Sequence, residues 1–254
     1  MREIVRAAVC PLRDKRTKGM ETMDYGLYLI LFLAITALSL FAQASVRTTF
    51  SKYAGVISRR GMTGAEAARE ILRHAGVMNV TVGQVGGELT DHYNPKTGEL
   101  NLSEAVYSGR GISALGVAAH EAGHAIQYAV GYGPASLRSA IVGLTQFASK
   151  WAILLLVAGL ILTYFAPRLI VVAYVGFFLY CVIALFQLIT LPVEFNASRR
   201  ACRVLEEAGV LEREELPGVR AVLRSAAMTY VAAMAASLLQ VIRLATIVFG
   251  RRRR

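Results

Sequence analysis

Two apolar runs separated by a three-residue turn constrain this chain more than any other feature. Residues 151–165 and 169–191 contain few polar side chains, and Ala166-Pro167-Arg168 joins them. A helix of about 20 apolar residues crosses the roughly 30 Å hydrocarbon core of a bilayer, and a proline-containing turn reverses the chain. We therefore predict a transmembrane hairpin at residues 151–191, which returns the chain to the side of the membrane that it left.

Two further apolar segments extend this prediction. Residues 25–46 carry no charge; Ala42-Gln43-Ala44 resembles a signal-peptide cleavage site, but the apolar core is longer than the usual 7–15 residues or so, which favours a retained helix. Residues 226–249 include Gln240 and Arg243, so this segment either crosses the membrane or lies partly in protein. A hydrophobic content of 55% is too high for an ordinary soluble protein. We predict an α-helical integral membrane protein with about four transmembrane helices.

Both ends of the chain are basic. Residues 1–22 form a basic N-terminal extension and residues 250–254 a basic tail, and both contribute to the net charge of +11. Basic clusters bind nucleic acid or anionic lipid, and beside apolar spans we predict the lipid bilayer as partner and no nucleic acid. Because the first apolar run follows at once, Met20 and Met23 are alternative translation starts to Met1.

Residues 47–150 have the composition of a soluble domain. Thr63-Gly64-Ala65-Glu66 is a capping box and predicts the start of a short amphipathic helix, which Gly76 ends. Turn residues then separate three predicted strands of a small antiparallel sheet, at residues 79–85, 88–93 and 99–103. We predict residues 99–103 as the edge strand that can pair with an extended peptide; an ordinary sheet strand is an equally good interpretation.

A His-Glu-x-x-His pattern lies at the end of this domain. Residues four apart share one face of a helix, so His120 and His124 can present their imidazoles to one metal ion, with Glu121 beside the same cleft. The apolar residues 112–119 lead into the motif without a proline, and Gly131 is a natural helix stop. An exposed polar helix face is the alternative, but only four histidines occur in the chain and two of them fall here. We predict a metal site with a base beside it.

A third ligand candidate follows the predicted hairpin, in residues 192–225. Glu194 returns to the side of the membrane that holds His120. A carboxylate at the point where a membrane helix meets water is costly unless it is paired or bound to a cation. Binding to zinc is one possibility; a carboxylate at a helix N-terminus, or one paired with Arg199 or Arg200, is the other.

Three motifs together carry a family resemblance: His120-Glu121-Ala122-Gly123-His124, Asp91-His92-Tyr93-Asn94-Pro95 and Leu191-Pro192-Val193-Glu194-Phe195-Asn196-Ala197-Ser198. With them the chain resembles the YugP-like bacterial membrane zinc metallopeptidases from about residue 25 to 249. That family is similar in motif order to the HtpX and CAAX-prenyl proteases, where a glutamate after a membrane hairpin completes the zinc site. The resemblance implies a small α+β gluzincin-like metalloprotease domain, with Glu194 as third ligand.

The resemblance also implies a second layer of residues behind the ligands. In those relatives an aspartate four residues after the glutamate supports a ligating histidine, whereas Ser198 stands at that position here. We expect Asn196 or Ser198 to take over this support.

These predictions define a zinc-dependent endopeptidase acting on membrane-associated proteins. His120, His124 and Glu194 would hold one zinc ion per chain, and Glu121 would be the general base for water. Candidates for substrate contact or for oxyanion stabilisation are His92, Tyr93, Asn101, Arg199 and Tyr230.

A non-catalytic membrane scaffold or lipid-binding protein with a structural metal site is the alternative function. Glu121 distinguishes the two, because a structural zinc site has four protein ligands and no use for a base. Either protein would be a multi-pass protein of the cell membrane. Basic residues follow the first and third spans, which predicts a cytoplasmic catalytic domain if the basic extension is not part of the mature chain.

Overall fold

The computed structural model describes the backbone of residues 25–250 and the side chains of residues 26–249. The basic extension, the alternative starts and the four C-terminal arginines lie outside the described residues. Seven α-helices and three strands make up the described part, with a short 3₁₀ turn at Pro167–Leu169. In chain order they are α1 (Tyr25–Ala54), α2 (Gly64–His74), β1 (Thr81–Val85), β2 (His92–Asn94), β3 (Glu99–Ser103), α3 (Glu104–Tyr107), α4 (Ile112–Ala129), α5 (Gly133–Phe165), α6 (Ile170–Glu207) and α7 (Leu216–Gly250).

Four of these helices, α1, α5, α6 and α7, are long and apolar enough to cross a membrane. The prediction of a mainly helical protein with about four such helices is confirmed. α5 and α6 form a hairpin, α7 packs against α6, and α1 packs against α7. All four helices are longer than the apolar runs. α1 continues to Ala54, α5 begins at Gly133, α7 begins at Leu216, and α6 continues through Pro192, where the sequence suggested a boundary. A proline removes one helical hydrogen bond, and packing of the following turns against α4 maintains the helix.

The three strands form one mixed sheet in the order β1-β3-β2, so the prediction that residues 99–103 form an edge strand is wrong. β3 pairs in parallel with β1 and antiparallel with β2, and the predicted all-antiparallel sheet is corrected accordingly. The physical reason is burial. Leu100 and Leu102 of β3 are fully buried in the domain core, which places this strand in the middle. The edge strand that contacts α4 is β2.

Local sequence patterns mark the start of α2 and the end of α4, the helix that carries the His-Glu-x-x-His motif. The Thr63 hydroxyl accepts from the Glu66 N–H at 3.2 Å and the Glu66 carboxylate accepts from the Thr63 N–H at 2.8 Å, so the capping box of α2 is confirmed. Gly131 follows α4 with φ +64°, the left-handed conformation that ends a helix. α4 itself is buried among α2, the sheet, α6 and α7, which makes it the centre of the domain core.

Candidate metal centre

Two helices bring the three predicted metal ligands together. His120 and His124 lie on α4 and Glu194 on α6, and one ligand atom of each lies within 4.8 Å of the other two. Glu194 Oε2 is 3.1 Å from His120 Nε2 and 3.5 Å from His124 Nε2. The Glu194 carboxylate is only 2% exposed, and its position inside α6 excludes the alternative of a helix N-terminal carboxylate.

Gly123, inside the motif, explains why α4 and α6 can approach so closely. A Cβ atom at this position would lie 2.9 Å from the carbonyl oxygen of Ala197, which follows Glu194 by three residues in α6. A hydrogen in place of a side chain therefore lets the two backbones meet at the site. The same close approach brings Glu194 of α6 near the two imidazoles of α4.

Gln127 fixes the orientation of His124. Its side-chain amide donates to the Val193 carbonyl at 2.8 Å and to Asn196 Oδ1 at 3.0 Å, and its Oε1 lies 3.0 Å from His124 Nδ1. Because both N–H groups of the Gln127 amide already have acceptors, the amide oxygen Oε1 faces His124, and this oxygen can only accept the proton of Nδ1. His124 Nε2 is therefore the nitrogen that offers a lone pair. Sequence reasoning assigned no role to Gln127, although it lies on the same face of α4 one turn after His124.

The positions expected to replace the missing aspartate both lie behind the ligands. Ser198 Oγ is 3.3 Å from His120 Nδ1, while Asn196 contacts Gln127 and so reaches His124 indirectly. Each histidine thus has its own support: Ser198 of α6 contacts His120 directly, while Gln127 of α4, itself held by Asn196 of α6, contacts His124.

Arg138 holds the other oxygen of the third carboxylate. From α5, its Nη1 donates to Glu194 Oε1 at 3.0 Å and leaves Oε2 to the histidines. The partners considered from the sequence do not pair with Glu194: Arg199 and Arg200 each bond to an oxygen one turn earlier in α6. No sequence pattern indicated Arg138, because it lies 56 residues before its partner.

The residues present fit a zinc ion. Two imidazole nitrogens and one carboxylate oxygen are the ligand set of many catalytic zinc sites. Acceptor atoms that face one another repel unless a cation or a proton lies between them. The electrostatics of His124 indicate a negative site. Burial by itself lowers the pKa of His124, but the carboxylates of Glu194 and Glu121 outweigh burial and hold this pKa above its usual value. The centre therefore attracts positive charge.

Two cavities meet at this centre. One, of about 370 Å³, lies among α1, α4 and α7; the other, of about 400 Å³, lies among β2, α4 and α5. Both are lined by Asp91, His120, Glu121, Glu194 and Tyr230. A molecule bound across both cavities would pass directly over Glu121 and the three ligand candidates.

The remaining candidates separate into two groups. Tyr230 lines both cavities, and His92 and Tyr93 line the second one. Asn101 and Arg199 line neither cavity, and Asn101 lies on the central strand β3.

Asp91 had no predicted role, although it belongs to one of the motifs that carry the family resemblance. Its carboxylate accepts from the N–H of Ser103 at 2.7 Å, which ties the segment before β2 to the end of β3.

A His-Glu-x-x-His helix completed by a glutamate from a second helix defines the zinc metallopeptidase class. The comparisons agree with this class. The model of the family described as "Putative neutral zinc metallopeptidase" matches residues 28–249, and the chain belongs to this family.

A curated relative covers almost the same range. The chain is 45% identical over 217 residues to "Putative membrane protease YugP" of Bacillus subtilis (strain 168), and the match covers 85% of this chain and 94% of that protein. No solved structure matches significantly. The resemblance noted in the sequence is thereby confirmed, as is the assignment to the zinc metallopeptidases.

Proposed function

We propose that this protein is a membrane-embedded zinc endopeptidase with a gluzincin-like catalytic domain. His120, His124 and Glu194 would hold one zinc ion per chain, and Glu121 would act as the general base. The observation that carries this proposal is the cluster of three ligand atoms within 4.8 Å, next to a second carboxylate that opens to both cavities.

The residues around the centre have separable roles. Bound zinc would polarise the peptide carbonyl and lower the pKa of a water molecule toward about 7. The Glu121 carboxylate would take a proton from the attacking water and pass it to the leaving amine as the C–N bond breaks. Gln127, Ser198 and Arg138 would hold the ligand side chains in place.

Tyr230 is the candidate that we favour for stabilising the oxyanion. A phenolic O–H can donate to the negative oxygen that develops on the carbonyl, and Tyr230 lines both cavities beside Glu121. His92 is the second choice. Its Nδ1 lies 2.8 Å from the Thr90 carbonyl oxygen, so Nδ1 carries the proton and Nε2 offers a lone pair rather than a donor.

The edge strand β2 gives the peptide a place to bind. One side of β2 pairs with β3, and residues 91–96 line the second cavity next to the histidines. An extended substrate paired with an edge strand presents its carbonyls at regular spacing, so one of them can be held over the centre. In this proposal β2, rather than β3 as expected from the sequence, is the edge strand that pairs with the peptide.

The substrates we propose are membrane-associated proteins, cut close to the bilayer surface. Glu194 lies on one of the helices that can cross the membrane, and the first cavity is walled by two others, α1 and α7. Preferential cleavage of membrane-anchored substrates over unfolded soluble casein is the expected behaviour. Equal rates on both would argue against this substrate class.

The test compares zinc content and peptide cleavage in detergent-purified wild type, Glu121→Gln and Glu194→Gln. Wild type should hold about one zinc per chain and cleave. Glu121→Gln should keep the metal and lose about 10²- to 10⁴-fold in cleavage rate, while Glu194→Gln should lose the metal. His74→Gln, at an exposed histidine outside the site, is the matched control and should change neither. A metal-free wild type, or full activity in Glu121→Gln, would favour the scaffold alternative.

A further inference from the structure

The two cavities that meet at the metal centre differ in chemistry, and this difference bears on which peptides fit. Besides the shared residues, the first cavity is lined mainly by apolar side chains of three helices: Val46 and Phe50, Val117, and Val222, Leu223 and Ala226. The side chains of Gln43 and Arg47, both exposed, are among its polar lining. The second is lined by His92, Asn94, Lys96 and Ser139, together with the rings of Tyr93 and Tyr128. One side of the centre is therefore predominantly apolar and the other is more polar.

The apolar cavity also has a defined relation to the membrane. Val46 and Phe50 lie near the end of α1, and Ala226 lies in the first third of α7, and both helices continue into apolar stretches long enough to cross a bilayer. The cavity thus lies where the catalytic part meets the membrane.

We infer that the cavity among α1, α4 and α7 binds an apolar side chain directly beside the scissile bond, and that the polar cavity along β2 takes the other side of the substrate. This inference rests on the proposed peptidase function and adds a rule to it: the bond cut lies at a junction between an apolar and a polar stretch, as at the end of a transmembrane segment. Burying a leucine or phenylalanine side chain against these walls removes apolar surface from water. An aspartate there would lose its hydration, and the exposed Arg47 of the lining is the cation with which it could pair; a solvent-exposed ion pair recovers little of that loss.

Ala226 sets the space available in this cavity. Its methyl group lines the wall beside Leu223 and Tyr230, so a larger side chain at this position would occupy the volume that a substrate residue needs. Val46, on the opposite helix, lines the same cavity from the α1 side. Ala226→Phe and Val46→Phe therefore fill the same space from two independent elements, and both lie outside the groups assigned to metal binding and proton transfer.

The experiment uses zinc-loaded full-length protein in detergent micelles and synthetic peptides that place Phe, Leu, Ala or Asp at each of the two positions flanking the scissile bond. For wild type, one of the two positions should favour Phe or Leu over Asp, and the other should accept Asp. Ala226→Phe should lower cleavage of the Phe and Leu peptides by about 10- to 100-fold, mainly through KM, and leave the Ala peptide within a few-fold. Val46→Phe should show the same pattern. Met228→Phe, at an exposed position of α7 two residues away, is the control and should leave the preference unchanged.

The outcomes separate this inference from the peptidase proposal. Equal acceptance of Asp at both positions, or a loss of the Phe and Ala peptides by the same factor in a variant that still holds one zinc, would overturn the inference while the peptidase function stands. If zinc-loaded wild type cleaves no peptide of the set, and Glu121→Gln behaves identically, the proposed function falls and the inference falls with it.

Discussion

Arg138 shows how the candidate centre is assembled from single contacts. It is half-buried, and its guanidinium reaches Glu194 Oε1 from a helix that contributes no metal ligand. The ion pair leaves the second carboxylate oxygen directed at the imidazoles. We therefore assign Arg138 to positioning the third ligand.

Replacing Arg138 by Gln should weaken zinc binding about 10- to 100-fold, because residues that orient metal ligands contribute on that scale. Competition against a chromogenic zinc chelator measures this affinity without reference to activity. Arg138→Lys keeps the positive charge and should retain part of the zinc affinity that Arg138→Gln loses. Arg213→Gln, at an exposed arginine that pairs with Glu206, is the control and should bind zinc like wild type. Unchanged affinity in Arg138→Gln would remove this role.

At the scale of elements, the α5–α6 hairpin depends on a backbone contact. A Cβ atom at Gly159 would lie 2.1 Å from the Ala173 nitrogen, and one at Gly176 would lie 2.3 Å from the Leu156 nitrogen. Small residues let membrane helices approach closely, and van der Waals packing then holds them together without a hydrophobic force between them. The hairpin carries Arg138 on one arm and Glu194 on the other, so its packing supports the centre.

Gly159→Leu should therefore destabilise the protein by about 1–3 kcal/mol, the usual range for overpacking. Thermal unfolding in detergent measures the effect as a lowered Tm. Gly143→Leu is the matched control on the same helix, because Gly143 is exposed and no atom lies within 4 Å of the position its Cβ would take. A similar Tm for both variants would show that the close contact contributes little to stability.

At the scale of the whole molecule, the distribution of basic residues predicts which side of the membrane the catalytic part faces. The membrane helices place the sheet and α4 on one side and the turn at Arg168 on the other, and the catalytic side is rich in basic residues close to the membrane: Arg47, Lys52, Arg59, Arg60, Arg199, Arg200 and Arg203. Cytoplasmic segments near membrane helices carry an excess of Lys and Arg. Both termini are basic as well. We propose a cytoplasmic catalytic side for a mature chain that does not include the basic extension, residues 1–22.

Labelling of single cysteines tests this orientation. In a variant without native cysteines, Arg168→Cys and Glu214→Cys place a thiol at exposed positions on the two opposite sides. A membrane-impermeant maleimide applied to spheroplasts should label Arg168→Cys and spare Glu214→Cys until the membrane is permeabilised. The reverse pattern would place the catalytic part outside the cytoplasm.

The sequence by itself determined the features that depend on local spacing. Apolar length predicted the four helices able to cross a membrane, the four-residue interval predicted that His120 and His124 share a face, and Thr63 with Glu66 predicted the start of α2. These succeed because an apolar run, a helical repeat and a capping box each act within a few turns of chain.

Only the tertiary structure decided which distant residues meet. Pairing of β3 on both sides, the contact of Arg138 with Glu194, and the different linings of the two cavities all join residues far apart in the chain. Such contacts follow from how helices and strands pack, and local propensity carries no information about them. The motif could therefore predict that two histidines face one cleft, and the family resemblance pointed to Glu194, whereas the residues that contact these side chains and the space beside them required the packed fold.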